Sequence, residues 1–164
     1  MAGVQGYDHF SASVRDNFCS SPGLGLVGKR VMELSKVSPE EIDYVDLYSC
    51  FPSAVQVAAR ELGFPEERQL TVTGGLTFGG GPLNNYVMHA VARTAELLRE
   101  TPGKKAFVSA NGGNLYKHVH CVYSSQAPEE PFQYENIQQE IDKLPSRICL
   151  PEYDLSLIHI SEPT

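Results

Sequence analysis

Cys50 sits in Tyr48-Ser49-Cys50-Phe51-Pro52, between a short apolar run at 45–47 and a helical pattern that Pro52 opens. A thiol just ahead of a helix feels the positive end of the helix dipole, which favours the thiolate. Cys50 is thus a candidate catalytic thiol. The competing reading is a thiol that only packs. A second candidate is the stretch Thr73-Gly74-Gly75-Leu76-Thr77-Phe78-Gly79-Gly80-Gly81-Pro82, with five glycines in ten residues. Glycine lacks a Cβ and tolerates positive φ, so backbone N–H groups can converge on an oxygen. A helical pattern over 84–100 follows and adds a positive partial charge at the same place. A flexible surface loop is the bland alternative. The third is Asn111-Gly112-Gly113-Asn114, whose side-chain and backbone donors could face an oxyanion, although a plain hairpin turn explains the same Asn-Gly.

Other residues weigh less. His89 lies about one turn inside the 84–100 helix, where it could reach back to the glycine loop as a base; a surface or packed histidine is the simpler reading. Tyr48 and Ser49 read as pocket lining rather than catalysts. His118, His120 and Cys121 suggest a metal by type, but alternation places the two histidines on one strand face and Cys121 on the other. With no carboxylate nearby in the sequence they read as structural, and no metal site is expected. Asn84 and Asn85 read as helix caps.

The elements that must position these groups follow from periodicity and punctuation. Ser21-Pro22 starts a helix with Leu24, Val27, Val31 and Leu34 on one face. Ser38-Pro39-Glu40-Glu41 is a capping box for a single turn. Strands are expected at 42–48, 69–73, 105–110 and 118–124, and helices at 52–62 and 84–100. In the last of these helices Val87, Val91, Thr94 or Ala95, and Leu98 should face inward. A proline-rich acidic linker covers 126–131, and an amphipathic helix at 135–144 carries Ile137, Ile141 and Leu144. The order predicts an α/β fold with a mixed, mostly parallel sheet of about four strands, closed by an antiparallel hairpin at 105–124. Loops leaving the carboxyl ends of parallel strands share one edge, so the three odd loops should converge there. No first strand is obvious in 1–15, which reads as a chain truncated at both ends.

Composition bounds the function. The chain has 164 residues with 41% hydrophobic and 20% charged content, which suits one globular domain with a real core. A formal net charge of −7 disfavours a general nucleic-acid binder. No apolar run approaches the roughly 20 residues of a membrane span, and the first ten residues have no secretory pattern. Cys19, Cys50, Cys121 and Cys149 form no CxxC pair, which suits a reducing, cytoplasmic setting. Residues 156–164, Ser-Leu-Ile-His-Ile-Ser-Glu-Pro-Thr, resemble translated sequencing-adapter read-through.

The three loops in this order, each after a strand, resemble the C-terminal half of a thiolase-superfamily protein. The likeness runs over about 21–125 and is nearest the acetyl-CoA acetyltransferase or thiolase-like branch, related to the sterol-carrier-protein-type thiolases. Tyr48-Ser49-Cys50-Phe51 stands where these carry Asn-Glu-Ala-Phe or His-Asp-Cys-Phe. Gly74-Gly75 through Gly80-Gly81-Pro82 stands where they carry Gly-Gly and then Gly-His-Pro, and Asn111-Gly112-Gly113 where they carry a Cys-x-Gly turn. The resemblance implies a thiolase-like domain at 21–125 between a truncated 1–20 segment and, at 126–154, a linker and the start of a C-terminal extension; the adapter-like residues make 155–164 an artefact tail. It implies two-step acyl transfer on coenzyme A thioesters, with acyl-CoA or CoA as ligand and no further cofactor. The nucleophilic cysteine would come from an upstream half, the full-length form would be a homodimer, and a peroxisomal location would fit a eukaryotic source.

By the same resemblance Cys50 matches the family's acid/base cysteine, Tyr48 could donate to a thioester oxygen, and Gly80, Gly81, Asn111, Gly112 and Gly113 would bind substrate. Three family positions differ: the histidine of Gly-His-Pro falls on Gly81, the Asn or His of the first motif on Tyr48, and the cysteine of Cys-x-Gly on or near Ala110. Two functions follow: an acyltransferase whose activity needs the upstream half, or a thiolase-like protein that binds CoA or acyl-CoA without turnover. A nucleotide-binding loop would need Lys-Ser/Thr after the glycines, and Gly80-Gly81-Pro82-Leu83 lacks it.

Overall fold

The computed structural model describes residues 1–148; Cys149 and the 156–164 tail lie outside that range. Ten elements follow one another: β1 (Ala2–Tyr7), α1 (Pro22–Ser35), β2 (Tyr44–Asp46), α2 (Pro52–Leu62), the one-turn α3 (Leu76–Gly79), α4 (Tyr86–Glu100), β3 (Lys105–Gly112), β4 (Lys117–Ser124), β5 (Gln133–Asn136) and the one-turn α5 (Gln138–Ile141). They build a five-stranded sheet in the order β2-β3-β4-β1-β5. The sheet is mixed: β2/β3 and β1/β5 pair in parallel, β3/β4 and β4/β1 antiparallel.

The expected helix α1 forms with Leu24, Val27 and Val31 buried, and Glu41 closes the turn after it by accepting the Ser38 N–H at 2.8 Å. α2 runs from Pro52 at its first turn to a left-handed stop at Gly63, φ 74°. Both helices share a core with Val4, Val45, Phe107 and Val122. Ala106 and Val108 alternate to the other side of β3, where α4 packs.

Five expectations need correction. First, a first strand exists: β1 is internal, between β4 and β5. Gly3 and Gly6 weaken its strand signal, but they answer a packing demand, since a Cβ on Gly6 would overlap Ile141 of α5. β1 and β5 both lie outside 21–125 yet complete the same sheet. Second, 69–73 is not a ladder strand. Only Leu47 N–H to Leu70 O, at 2.9 Å, joins it to the chain leaving β2, and beyond that rung the Asp46 side chain takes over the backbone's role. Third, β3 runs on through Asn111 and Gly112, paired with His118 and Lys117, so the turn begins at Gly113, φ 60°.

Fourth, the 135–144 helix is a strand, β5, followed by one helical turn; Ile137 and Ile141 still reach the core. Parallel pairing with β1 outcompetes the helical periodicity of this segment. Fifth, the buried stripe of α4 is Tyr86, Ala90, Thr94 and Leu98, so Val87, Val91 and Ala95 lie off it. In β4 the fully buried face is His118, His120 and Val122, while Val119, Cys121 and Tyr123 are half-buried.

Candidate functional site

β2 and β3 are parallel neighbours, so their carboxyl ends open on the same edge of the sheet. Cys50 leaves β2 and precedes α2, whose N-cap residue is Phe51. Asn111, near the end of β3, donates from Nδ2 to Cys50 Sγ at 3.5 Å. Asn111 Oδ1 is buried with no hydrogen-bond partner among the described residues. The Tyr48 N–H donates to Ser109 Oγ at 2.9 Å, which ties the chain after β2 to β3 a second time.

The glycine loop meets the same segment from the other side. Ser49 Oγ accepts the Leu76 N–H at 3.0 Å. This close approach depends on Gly75, whose φ is 77° and whose Cβ, if present, would stand 2.7 Å from Ser49 Oγ. The Tyr48 ring packs edge-on against Tyr86 at 5.3 Å, and Tyr86 in turn packs against the His89 ring at 6.0 Å. A Cβ on Gly79 would lie 3.8 Å from His89 Nδ1, so the imidazole flanks the end of α3. Burial, then the neighbouring Cys50 and Tyr86, push the Tyr48 phenol above its ordinary value, which keeps it a neutral O–H donor.

The structure therefore brings Tyr48, Ser49, Cys50, Asn111 and the first part of the glycine loop together. Gly80 and Gly81 are exposed beyond α3, Gly112 lies within β3, and Gly113 turns away under the Tyr116 ring. Phe51, Phe78 and Leu83 stand exposed on or just after these loops. Sequence reasoning missed Asp46, Thr73, Tyr86 and Ser109, which hold the loops in place. The one available signal was the alternation of Thr71 and Thr73 ahead of the glycines.

His118 and His120 are fully buried, as a structural role requires. A carboxylate does lie beside them: Asp8 Oδ2 is 3.0 Å from His118 Nε2 and accepts the Ser21 hydroxyl at 2.6 Å. Asp8 Oδ1 accepts the Gly23 N–H at 3.1 Å, so the group caps α1 and clamps it to β4. Asp8 is 110 positions from His118, too far for any local pattern to reveal. Burial first, then the adjacent His118, pulls His120 down to about 3, so it is neutral, and its ring packs on Phe107 at 5.2 Å. Among the described residues no three of His, Cys, Asp and Glu come together as a metal site would need, and no helix is long and apolar enough to cross a membrane.

No family model matches the sequence, and no curated protein matches it. Its structure is similar to that of a monomeric SCP2-thiolase like protein type 1 from Mycobacterium smegmatis, with a TM-score of 0.80 and 30% sequence identity. The match covers 88% of this chain and 32% of that protein, so the chain spans about a third of the length of the structure it resembles. The mixed sheet, its packed helices and this likeness together give the chain a thiolase-like α/β fold.

Proposed function

We propose that this chain supplies the acid/base and substrate-orienting part of a thiolase-type acyltransferase acting on coenzyme A thioesters. The observation that carries this reading is the contact between Asn111 Nδ2 and Cys50 Sγ at the sheet edge where the glycine loop docks on Ser49. In that arrangement Cys50 gives or takes the proton at the carbon next to the thioester carbonyl. The Asn111 amide donates to its sulfur, and Tyr48 offers a neutral hydroxyl to the thioester oxygen. Ser49 and Gly75 hold the glycine loop against this segment, and His89, beside Gly79, is the available base. The nucleophile that carries the acyl group comes from an upstream half. The exposed Phe51, Phe78 and Leu83 offer that half a surface to bury.

A second reading has its own observation. Gly81 leaves no side chain where the resemblance expects a histidine base, which favours a protein that binds CoA or acyl-CoA without turnover. One assay separates the two. The polypeptide that joins this chain to its upstream half is tested for thiolysis of acetoacetyl-CoA, as wild type and as Cys50→Ser. The acyltransferase reading expects turnover that falls at least about a hundredfold in Cys50→Ser. Turnover that survives the substitution overturns the role of Cys50. Saturable CoA binding with no turnover in the wild type supports the binding reading.

A further inference from the structure

Asp46 ends β2 and is 1% exposed, yet among the described residues it forms no ion pair with Lys, Arg or His. Its Oδ1 is buried without a hydrogen-bond partner there. Its Oδ2 accepts three hydrogen bonds, from Thr71 Oγ1 at 2.9 Å, the Val72 N–H at 3.0 Å and Thr73 Oγ1 at 3.1 Å. Burying a carboxylate without a cation is strongly unfavourable, so three donors from one short stretch must hold it. That stretch is the neck of the glycine loop.

The same contacts set the direction of the hydrogen bonds beyond Asp46. Thr73 donates its single hydroxyl proton to Asp46 Oδ2. Thr73 Oγ1, which also lies 3.0 Å from Thr71 Oγ1, is then an acceptor for the Tyr86 hydroxyl at 2.8 Å and the Gly75 N–H at 3.2 Å. Tyr86 opens α4 and carries the ring against which Tyr48 packs. One carboxylate thus joins the end of β2, the neck of the loop and the start of α4. These three elements carry Cys50, the glycines and His89.

We propose that Asp46 is the positioning residue of this edge: through Thr73 and Tyr86 it fixes the glycine loop against the Tyr48–Cys50 segment. This rests on reading Cys50 and the glycine loop as one site. The test measures the loop and the thiol rather than acyl transfer, so failure of the proposed chemistry leaves its outcome untouched.

The 164-residue chain is compared as wild type, Asp46→Asn, Thr73→Val and Thr73→Ser. The first readout is amide hydrogen exchange. The second is peptide-resolved alkylation of Cys50 by iodoacetamide from about pH 6 to about pH 9, with the exposed thiol of Cys19 as internal reference. Asp46→Asn and Thr73→Val each raise exchange over 75–80 by about tenfold and move the Cys50 profile relative to Cys19, while β3 and β4 stay protected. Thr73→Ser keeps the hydroxyl and holds both readouts to within about twofold of wild type. If Asp46→Asn does not fold, the Val and Ser pair at Thr73 decides. Unchanged exchange and an unchanged Cys50 profile overturn the proposal. So does faster exchange spread evenly over the sheet with Cys50 following Cys19, because that is loss of stability and not of position.

Discussion

Asn111 Nδ2 lies 3.5 Å from Cys50 Sγ although 61 positions separate the two residues. The contact exists because β2 and β3 are parallel neighbours and because β3 extends far enough past the sheet's middle to bring Asn111 over the start of α2.

The first prediction concerns that contact. Asn111→Ala should slow alkylation of Cys50 at neutral pH by about threefold to tenfold, the range of one ordinary lost hydrogen bond. Cys19, exposed and outside this contact, should keep its rate. Peptide-resolved iodoacetamide kinetics read both sites in one sample. Equal slowing at Cys19, or none at Cys50, would contradict a working contact.

Gly75 supports a second prediction. Its φ of 77° and the 2.7 Å approach of a Cβ to Ser49 Oγ make alanine unwelcome there on two counts. Gly75→Ala should destabilise the chain by about 1–3 kcal/mol in denaturant unfolding. In a Ser49→Gly background the steric part is gone and only the backbone part remains, so the same substitution should cost about 1 kcal/mol less. Additive effects of the two changes would mean that the loop does not press on Ser49.

The third prediction is pH dependence. His120 is held neutral, near 3 against an ordinary 6.5, so between these values the unfolded chain takes up a proton that the folded chain refuses. Stability therefore falls as pH drops below about 6.5. Asp8 is also lowered: burial opposes its charge, and the hydrogen bonds from His118 and Ser21 outweigh it. Its contribution is full above about pH 4 and is lost as pH falls through its folded value, so the two effects have the same sign. Melting temperature should decline steadily from about pH 6.5 toward pH 4, and His120→Leu should flatten that decline. A profile unchanged by His120→Leu would show that another group drives it.

Much of this edge was legible in the sequence. The residue types at Cys50, the glycines before Pro82 and Asn111 gave the loops, and α/β alternation gave their common side. What was not legible came from contacts with no local signature. Asp8 and His118 meet across 110 positions. Gly6 looks like a turn residue until Ile141, Val27 and Ile137 explain the missing side chain. At 69–73 the β-prone residues are present, but the Asp46 carboxylate satisfies the Thr71–Thr73 donors, and the ladder stops after one rung. The α4 stripe was misplaced for a related reason: Tyr86 turns inward because its hydroxyl has Thr73 to bond, which hydropathy alone would not rank above Val87.

The last prediction concerns the crossing of α1 and α2. Gly28 is buried in α1, and a Cβ there would overlap the end of the Leu62 side chain of α2, itself 5% exposed. Two effects of alanine at this position oppose each other. Helix propensity favours alanine over glycine by about 1 kcal/mol. Overpacking a closed core costs about 1–3 kcal/mol, and Leu62 has little room to move because Ala59, Phe64 and Leu24 belong to the same buried cluster. Gly28→Ala should therefore be net destabilising in the wild-type background. Leu62→Ala alone should cost about 2–5 kcal/mol through the cavity it leaves. In that background the obstruction is gone and part of the cavity is refilled, so Gly28→Ala should become stabilising by about 1 kcal/mol. The reversal of sign is the point of the test, read from urea unfolding midpoints of the four proteins in the cycle. If Gly28→Ala destabilises equally in both backgrounds, Leu62 is not what reserves that position for glycine.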